Sequence, residues 1–237
     1  MRVLVAGASG VIGLRLVRAL AATGHTVIGT TRSPLKAPAV RAAGATPLVV
    51  NIFDARLADA CAAARPEVVV HLVTDLPDRL DPDRPGDMSV RNAWIRSEGT
   101  RRLVDTVTRA GARRLVAQSV AWVYASGPEP HREEDPLDTD AEGGRRVTAT
   151  GVATLERLVT SVPRIDGLVL RLGQLYGPET WYATPTGNVP VHVGAAVRAT
   201  ALAVVRGEPG IYNIVEDGPA ASNAKARAQL GWDPASR

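Results

Sequence analysis

Ala6-Gly7-Ala8-Ser9-Gly10-Val11-Ile12-Gly13 follows the apolar run Val3-Leu4-Val5-Ala6 and leads into a helix-period segment from Leu14 to Leu20. A strand that turns sharply into a helix aims free backbone N–H groups and a positive dipole end at an anion. Glycines without side chains let a pyrophosphate come close to that backbone. The spacing is GxxGxxG rather than the commoner GxGxxG of dinucleotide sites. Its place between a buried-looking strand and an amphipathic helix makes a nucleotide cradle the expected reading over a merely tight turn.

Outward from this turn, apolar runs alternate with helix-period segments. Strands are expected at Val3 to Ala6, Thr26 to Thr30, Pro47 to Val50, Val68 to Leu72, Arg114 to Gln118 and Gly167 to Leu172. Helices are expected near 11–23, 35–43, 55–64, 88–110 and 146–161. This is the rhythm of βαβ crossovers in a parallel sheet covered on both faces. Right-handed crossovers then give an α/β, doubly wound sheet, whose ligand site lies at the carboxyl ends of the strands near the switch in strand order.

With 237 residues the chain can bury one large α/β unit. The expected division is a dinucleotide-binding part over 1–175 and a reduced substrate-binding cap over 176–237, the two forming a single compact unit. The net charge is +4, carried almost wholly by arginine, with Lys36 and Lys225 as the lysines. The pairs Arg101-Arg102, Arg113-Arg114 and Arg145-Arg146 are isolated and interleaved with acids, as on a solvated helix face, so no nucleic-acid partner is expected.

The single cysteine, Cys61, has no partner for an internal disulfide, which suits a reducing compartment. Met1 runs directly into the first strand, and no apolar run reaches the length of a membrane span. A soluble, cytoplasmic protein without a membrane partner is therefore expected. The four histidines, His25, His71, His131 and His192, lack metal-ligand spacing, and no metal is expected.

The residues after each strand carry the chemistry. Thr30-Thr31-Arg32-Ser33 has no acid where free ribose hydroxyls would be read, and Arg32 would attract a 2′-phosphate. NADP(H) is thereby favoured, with NAD(H) as the other cofactor the site admits. Asn51-Ile52-Phe53-Asp54 offers a polar clamp and an apolar wall for an adenine, and Asp54 also suits a helix cap.

Taken together, several motifs resemble the extended short-chain dehydrogenase/reductases, in their NAD-dependent epimerase/dehydratase branch. They are the glycine turn, Asn51 to Asp54, His71-Leu72-Val73-Thr74, Glu98-Gly99-Thr100-Arg101-Arg102-Leu103, Gln118-Ser119 with Val123-Tyr124, and Leu170 to Pro178. The resemblance covers residues 1 to about 215 and implies a Rossmann-type fold, a nicotinamide dinucleotide and a small-molecule substrate. Carried over by position, Gly7, Ser9, Gly10, Val11, Ile12 and Gly13 hold the pyrophosphate, and Arg32 reaches the adenosine ribose. Asn51 and Ile52 meet the adenine, Leu72, Val73 and Thr74 underlie the nicotinamide ribose, and Gln174 lies near the carboxamide.

The catalytic half departs from that family. Hydride transfer to a carbonyl develops alkoxide charge, which the family meets with a Tyr, a Lys four residues later and a nearby Ser. Aligned on Glu156, the corresponding positions hold Thr148 and Val152, while Val120 fills the usual serine slot. A threonine hydroxyl is too weak an acid, and valine has no charge to strengthen it.

The remaining candidate donors are Ser119, Tyr124, Tyr176 and Tyr182, with His192 beside them; Trp181-Tyr182 also suits an aromatic wall. The acids Glu133, Glu134, Asp135, Asp138 and Asp140 read mainly as a solvated loop. The cap is short, so the pocket is either open or closed by a second subunit, as in the family's homodimers through two long helices.

Two function classes fit. One is an NADP(H)-dependent oxidoreductase or epimerase-type enzyme of small-molecule biosynthesis with a relocated proton donor. The other is a non-redox cyclase, dehydratase or isomerase, or a cofactor-binding sensor, that keeps the fold without hydride transfer.

Overall fold

The computed structural model describes residues 1–77 and 85–237. The chain begins with β1 (Arg2–Ala6), α1 (Val11–Ala22), β2 (Thr26–Thr31), a short 3-10 turn (Pro34–Lys36) and α2 (Ala37–Ala42). Then come β3 (Ala45–Val49), α3 (Arg56–Ala64), β4 (Val68–His71), α4 (Pro85–Trp94), a π turn (Ile95–Gly99) and α5 (Thr100–Ala110). The rest is β5 (Arg114–Val120), α6 (Gly143–Thr160), β6 (Asp166–Leu172), β7 (Gln174–Tyr176), β8 (Pro190–His192), α7 (Val193–Val205), β9 (Gly210–Ile214) and α8 (Ala224–Leu230).

The main sheet has seven strands in the order β3-β2-β1-β4-β5-β6-β9. Every neighbouring pair in it is parallel. The order reverses between β1 and β4, so the fold is the doubly wound, Rossmann-type sheet and its crevice opens beside the glycine turn. β7 and β8 form a separate parallel pair.

Alternation along the strands splits the core into two layers. Val3, Val5, Val68, Val70, Val116, Leu168 and Leu170 face α1 and α7, where they meet Leu16, Leu20 and Ala196. Leu4, Ala6, Val69, Leu115, Ala117 and Val169 face the other way, against Leu57, Leu103, Val107, Leu155 and Val159 of α3, α5 and α6.

The expected strands and helices are present with small shifts at their ends. Two differences matter for the site. Gly210–Ile214 forms a seventh strand, pairing with β6 and burying Tyr212 and Ile214. The helix expected over 88–110 is interrupted by the π turn, which inserts extra backbone between α4 and α5.

The C-terminal segment is tied to the sheet through Trp232. Its indole is 2% exposed and donates from Nε1 to the Ala195 carbonyl at 2.9 Å. Trp232→Ala is expected to cost about 3–5 kcal/mol through lost packing and a cavity. Urea unfolding checks this, and a loss under about 1 kcal/mol contradicts the anchoring role.

Candidate functional site

The glycine turn is fixed by close backbone approach. Gly7 has φ +88°, and a Cβ there would lie 2.9 Å from the Leu72 carbonyl carbon. A Cβ on Gly13 would lie 2.3 Å from the Gly7 carbonyl oxygen. At Gly10 the nearest such atom is the Gly7 carbonyl oxygen at 3.5 Å, so that side of the turn is open. Gly10 is also the N-cap of α1, and no side chain caps the helix. The first-turn N–H groups of Val11, Ile12 and Gly13 thus lack a side-chain acceptor beside a glycine-lined opening, which fits a pyrophosphate.

Around this opening stand the ends of the neighbouring strands. The Gly7 N–H donates to Thr30 Oγ1 at 3.2 Å, and the Ser9 and Thr31 hydroxyls meet at 2.9 Å. Arg32 follows β2 and pairs with Asp75 at 2.7 Å, a carboxylate also held by Arg91 at 3.1 Å. After β3, Asn51 Oδ1 accepts from the Phe53 N–H, Ile52 is buried, and Asp54 accepts from the backbone N–H of Arg56 at the start of α3. Leu72, Val73 and Thr74 continue from β4, beginning with a bond from the Leu72 N–H to the Ala6 carbonyl. Gln174, after β6, accepts at Oε1 from the Val189 N–H, and its amide lies against Gly187.

On the other side of the switch, Thr148 and Val152 are buried on α6. Nearby lies a buried polar network. Arg171 donates from Nε and Nη2 to the two carboxylate oxygens of Glu156, both at 2.8 Å. Its Nη1 reaches the Tyr124 hydroxyl at 2.7 Å and the Glu133 carbonyl at 3.2 Å. Tyr124 in turn donates to Asn213 Oδ1 at 2.7 Å, and Ser119 donates to Glu156 at 2.9 Å. Burial opposes the Arg171 charge, but the hydrogen-bonded Glu156 carboxylate raises its pKa above the usual guanidinium value. Burial also pushes the Tyr124 phenol up.

The four candidate hydroxyls therefore do not converge. Ser119 and Tyr124 share the buried network. Tyr176 donates to Glu216 at 2.6 Å and packs edge-on to His192 with ring centres 5.2 Å apart. His192 caps α7 by accepting at Nδ1 from the Gly194 N–H. Tyr182 is 40% exposed and its hydroxyl has no partner among the described residues. Trp181 donates its indole N–H to the Pro77 carbonyl.

The acid loop differs from a solvated one. Glu133 accepts from the Asn213 N–H at 2.8 Å, Asp135 meets His131, and Asp138 meets Arg145. Sequence reasoning missed Arg171 and Asn213 as partners, although a charge between Leu170 and Leu172 in a buried strand is itself the signal that a counter-charge must be near.

Among the described residues, no group of three or more His, Cys, Asp and Glu side chains is placed to hold a metal. No described helix is long and apolar enough to cross a membrane. A hollow of about 440 Å³ lies at the opposite end of the sheet, among Arg2, Arg65, Glu67, Arg109 and Arg113, away from the glycine turn.

A doubly wound parallel sheet with an uncapped glycine turn at its switch point defines an NAD(P)-dependent enzyme of the oxidoreductase and epimerase type. The NAD dependent epimerase/dehydratase family matches residues 3–214, and the chain belongs to that family.

The 3-diazoavenalumate denitrifying reductase of a Streptomyces species is 43% identical over 242 aligned positions, covering 93% of this chain and 77% of that protein. The UDP-glucose 4-epimerase of Mycolicibacterium smegmatis is 33% identical over 145 positions, covering 58% of this chain and 45% of that one. In fold, the chain is similar to the UDP-glucose 4-epimerase of Thermotoga maritima solved with UDP-glucose. The TM-score is 0.79 at 18% identity, over 99% of this chain and 94% of that one. The Thermus thermophilus UDP-glucose 4-epimerase in complex with NAD gives a TM-score of 0.74 at 23% identity, over 99% of this chain and 94% of that one.

His71, the last residue of β4, supplies a pH test of the site's floor. Its ring bonds Thr100 Oγ1 at 3.1 Å and accepts from the Val73 N–H at 3.3 Å. Burial first, and the nearby Arg96 charge second, lower its pKa from 6.5 to about 4. Between those values the unfolded chain binds a proton that the folded chain refuses, so stability falls as pH drops through this window and levels off below it. His71→Gln is expected to flatten this limb in urea midpoints measured from pH 7 to about 4; an unaltered limb contradicts the assignment.

Proposed function

We propose that the chain is an NADP(H)-dependent reductase that removes the nitrogen of a small diazo-substituted carboxylate. The observation that carries this reading is the pair Thr148 and Val152, buried where a carbonyl reductase of this family would need an acid and a cation. It is supported by the 43% identity to a protein whose name describes denitrifying reduction of a diazo compound.

A reduced nicotinamide supplies a hydride, and on a diazonium carbon one C–H bond forms while the C–N bond breaks, its electron pair leaving with dinitrogen. No oxygen becomes an alkoxide, so no side chain has to deliver a proton to one. The protein's task reduces to binding, orienting and excluding water.

In this reading Gly7, Ser9, Gly10, Val11, Ile12 and Gly13 hold the pyrophosphate. Asn51 and Ile52 meet the adenine, Leu72, Val73 and Thr74 underlie the nicotinamide ribose, and Gln174 lies near the carboxamide. Arg32, already held by Asp75 with its side chain 64% exposed, reads the 2′-phosphate. Ser119, Tyr124 and Tyr176 position the walls, whereas Tyr182 and Trp181 face the substrate. We further infer a homodimer. Val90 and Trp94, 60% and 58% exposed, line a groove of about 420 Å³ between α4 and α6 with Ala93, Val147 and Gly151. A second copy related by a two-fold axis would cover that apolar strip with its own.

Incubation with NADPH and 3-diazoavenalumate is expected to release one dinitrogen per NADPH oxidised, followed by absorbance and gas analysis. Diazo loss without NADPH oxidation, or turnover of simple ketones instead, overturns the reading. Arg32→Asp is expected to weaken NADPH binding by about tenfold or more and NADH binding little. Equal losses remove Arg32 as the phosphate reader. For the dimer, Trp94→Glu is expected to halve the sedimenting mass; a wild-type monomer ends that inference.

A further inference from the structure

The hollow at the amino end of the sheet is built by three segments that each bring arginine to it. Arg2 opens β1, Arg65 closes α3 just before β4, and Arg109 and Arg113 flank the turn from α5 into β5. A volume of about 440 Å³ suits a small molecule. Backbone bonds tie the three segments together, from the Glu67 N–H to the Arg2 carbonyl at 2.9 Å and from the Arg113 N–H to the Glu67 carbonyl at 3.0 Å.

Glu67 is the one acid among the residues that line the hollow, and its carboxylate already accepts from the Arg2 N–H at 3.0 Å. Arg2 Nε donates to the Arg65 carbonyl at 2.7 Å, and Arg113 Nη2 meets the Met1 sulfur at 3.1 Å, an uncharged acceptor. The side chains of Arg65 and Arg109 make no hydrogen bond or ion pair among the described residues. Elsewhere on the surface arginines are answered by acids, Arg15 by Glu179, Arg145 by Asp138 and Arg227 by Asp217. Pro77, from which the chain enters residues 78–84, lies with Trp181 beyond the carboxyl end of β4, at the other end of the sheet from the hollow.

The placing of Arg65 carries a conformational cost. Both α3 and α5 end on a left-handed residue: at α5 it is Gly111, with φ +68°, and at α3 it is Arg65, with φ +46°, where glycine is the usual choice. A guanidinium at the carbonyl end of a helix is favourable by itself. Yet each helix end offsets only about half a charge, and Glu67 offsets one more, against four guanidiniums; an excess of about two positive charges remains.

We propose that this hollow binds a small molecule through a diphosphate group, at a site separate from the dinucleotide crevice and independent of the reductase reading. Guanidinium forks match phosphate oxygens in pairs, and a diphosphate carries the charge that balances the excess. Ala62, Pro66 and Ala110 supply apolar walls for the rest of the molecule. The five residues of β1 separate the hollow from the glycine turn by roughly 15 Å, too far for one diphosphate to touch both.

The test is a calorimetric titration of the full chain with inorganic pyrophosphate at about 0.15 M salt, with and without NADPH. A submillimolar site that NADPH does not displace is expected, with orthophosphate and citrate weaker by about tenfold or more. Arg65→Gly and Arg109→Gln are each expected to weaken pyrophosphate by about tenfold, whereas Arg157→Gln, the same loss of charge on α6, leaves it unchanged. Arg65→Gly is also expected to melt at or above the wild-type temperature, because glycine relieves the left-handed backbone, so its lost affinity is not a failure to fold. No site that survives NADPH, citrate bound as tightly as pyrophosphate, equal weakening by Arg157→Gln, or wild-type affinity in both Arg65→Gly and Arg109→Gln would each overturn the proposal.

Discussion

Two contacts between backbone atoms govern the architecture around the crevice: Gly7 against the Leu72 carbonyl and Gly13 against the Gly7 carbonyl. Each needs a residue without a Cβ, and together they draw the start of α1 onto the ends of β1 and β4. That places uncapped N–H groups at the point where the strand order reverses. A larger residue at Gly13 would have to push α1 outward. Because α1 packs against α7, the displacement would spread into the layer formed by Leu16, Leu20 and Ala196.

The opposite half depends on the Glu156–Arg171 pair. It joins α6 to β6 and, through Ser119, Tyr124, Glu133 and Asn213, ties in β5, the loop after it and β9. Removing one member of a buried pair typically costs about 3–5 kcal/mol, since the other is left charged and dry. This explains how Ser119 and Tyr124 can persist while Thr148 and Val152 occupy neighbouring positions. Their hydroxyls satisfy buried charges, a demand independent of any reaction.

Much of the fold was legible because its strands are short apolar runs bounded by turn residues, and its helices carry a clear 3.6-residue period. β9 was not, since Tyr212 and Asn213 break the apolar run; the Tyr212 hydroxyl meets the Glu208 carbonyl and Gln229, and Asn213 Oδ1 accepts from Tyr124, partners that only the tertiary fold supplies. The glycine turn was legible for the opposite reason: its requirement is local and written in consecutive residues. The π turn over Ile95–Gly99, by contrast, leaves no trace in the periodicity of the helix expected there. Buried pairings such as Glu156 with Arg171 fall between these cases, because sequence reveals that a partner is needed but not which one answers.

Under the reductase reading, the departures from the family follow from one difference in chemistry. Reduction of a carbonyl is reversible and places charge on an oxygen, so the protein must hold an acid of matched pKa and a cation to tune it. Loss of dinitrogen places no charge on oxygen and carries the leaving group away as a gas. A phenol–ammonium pair then has no transition-state charge to stabilise, and small apolar or weakly polar side chains such as Thr148 and Val152 can fill its positions. Orientation remains necessary, because a hydride must reach one carbon of the compound.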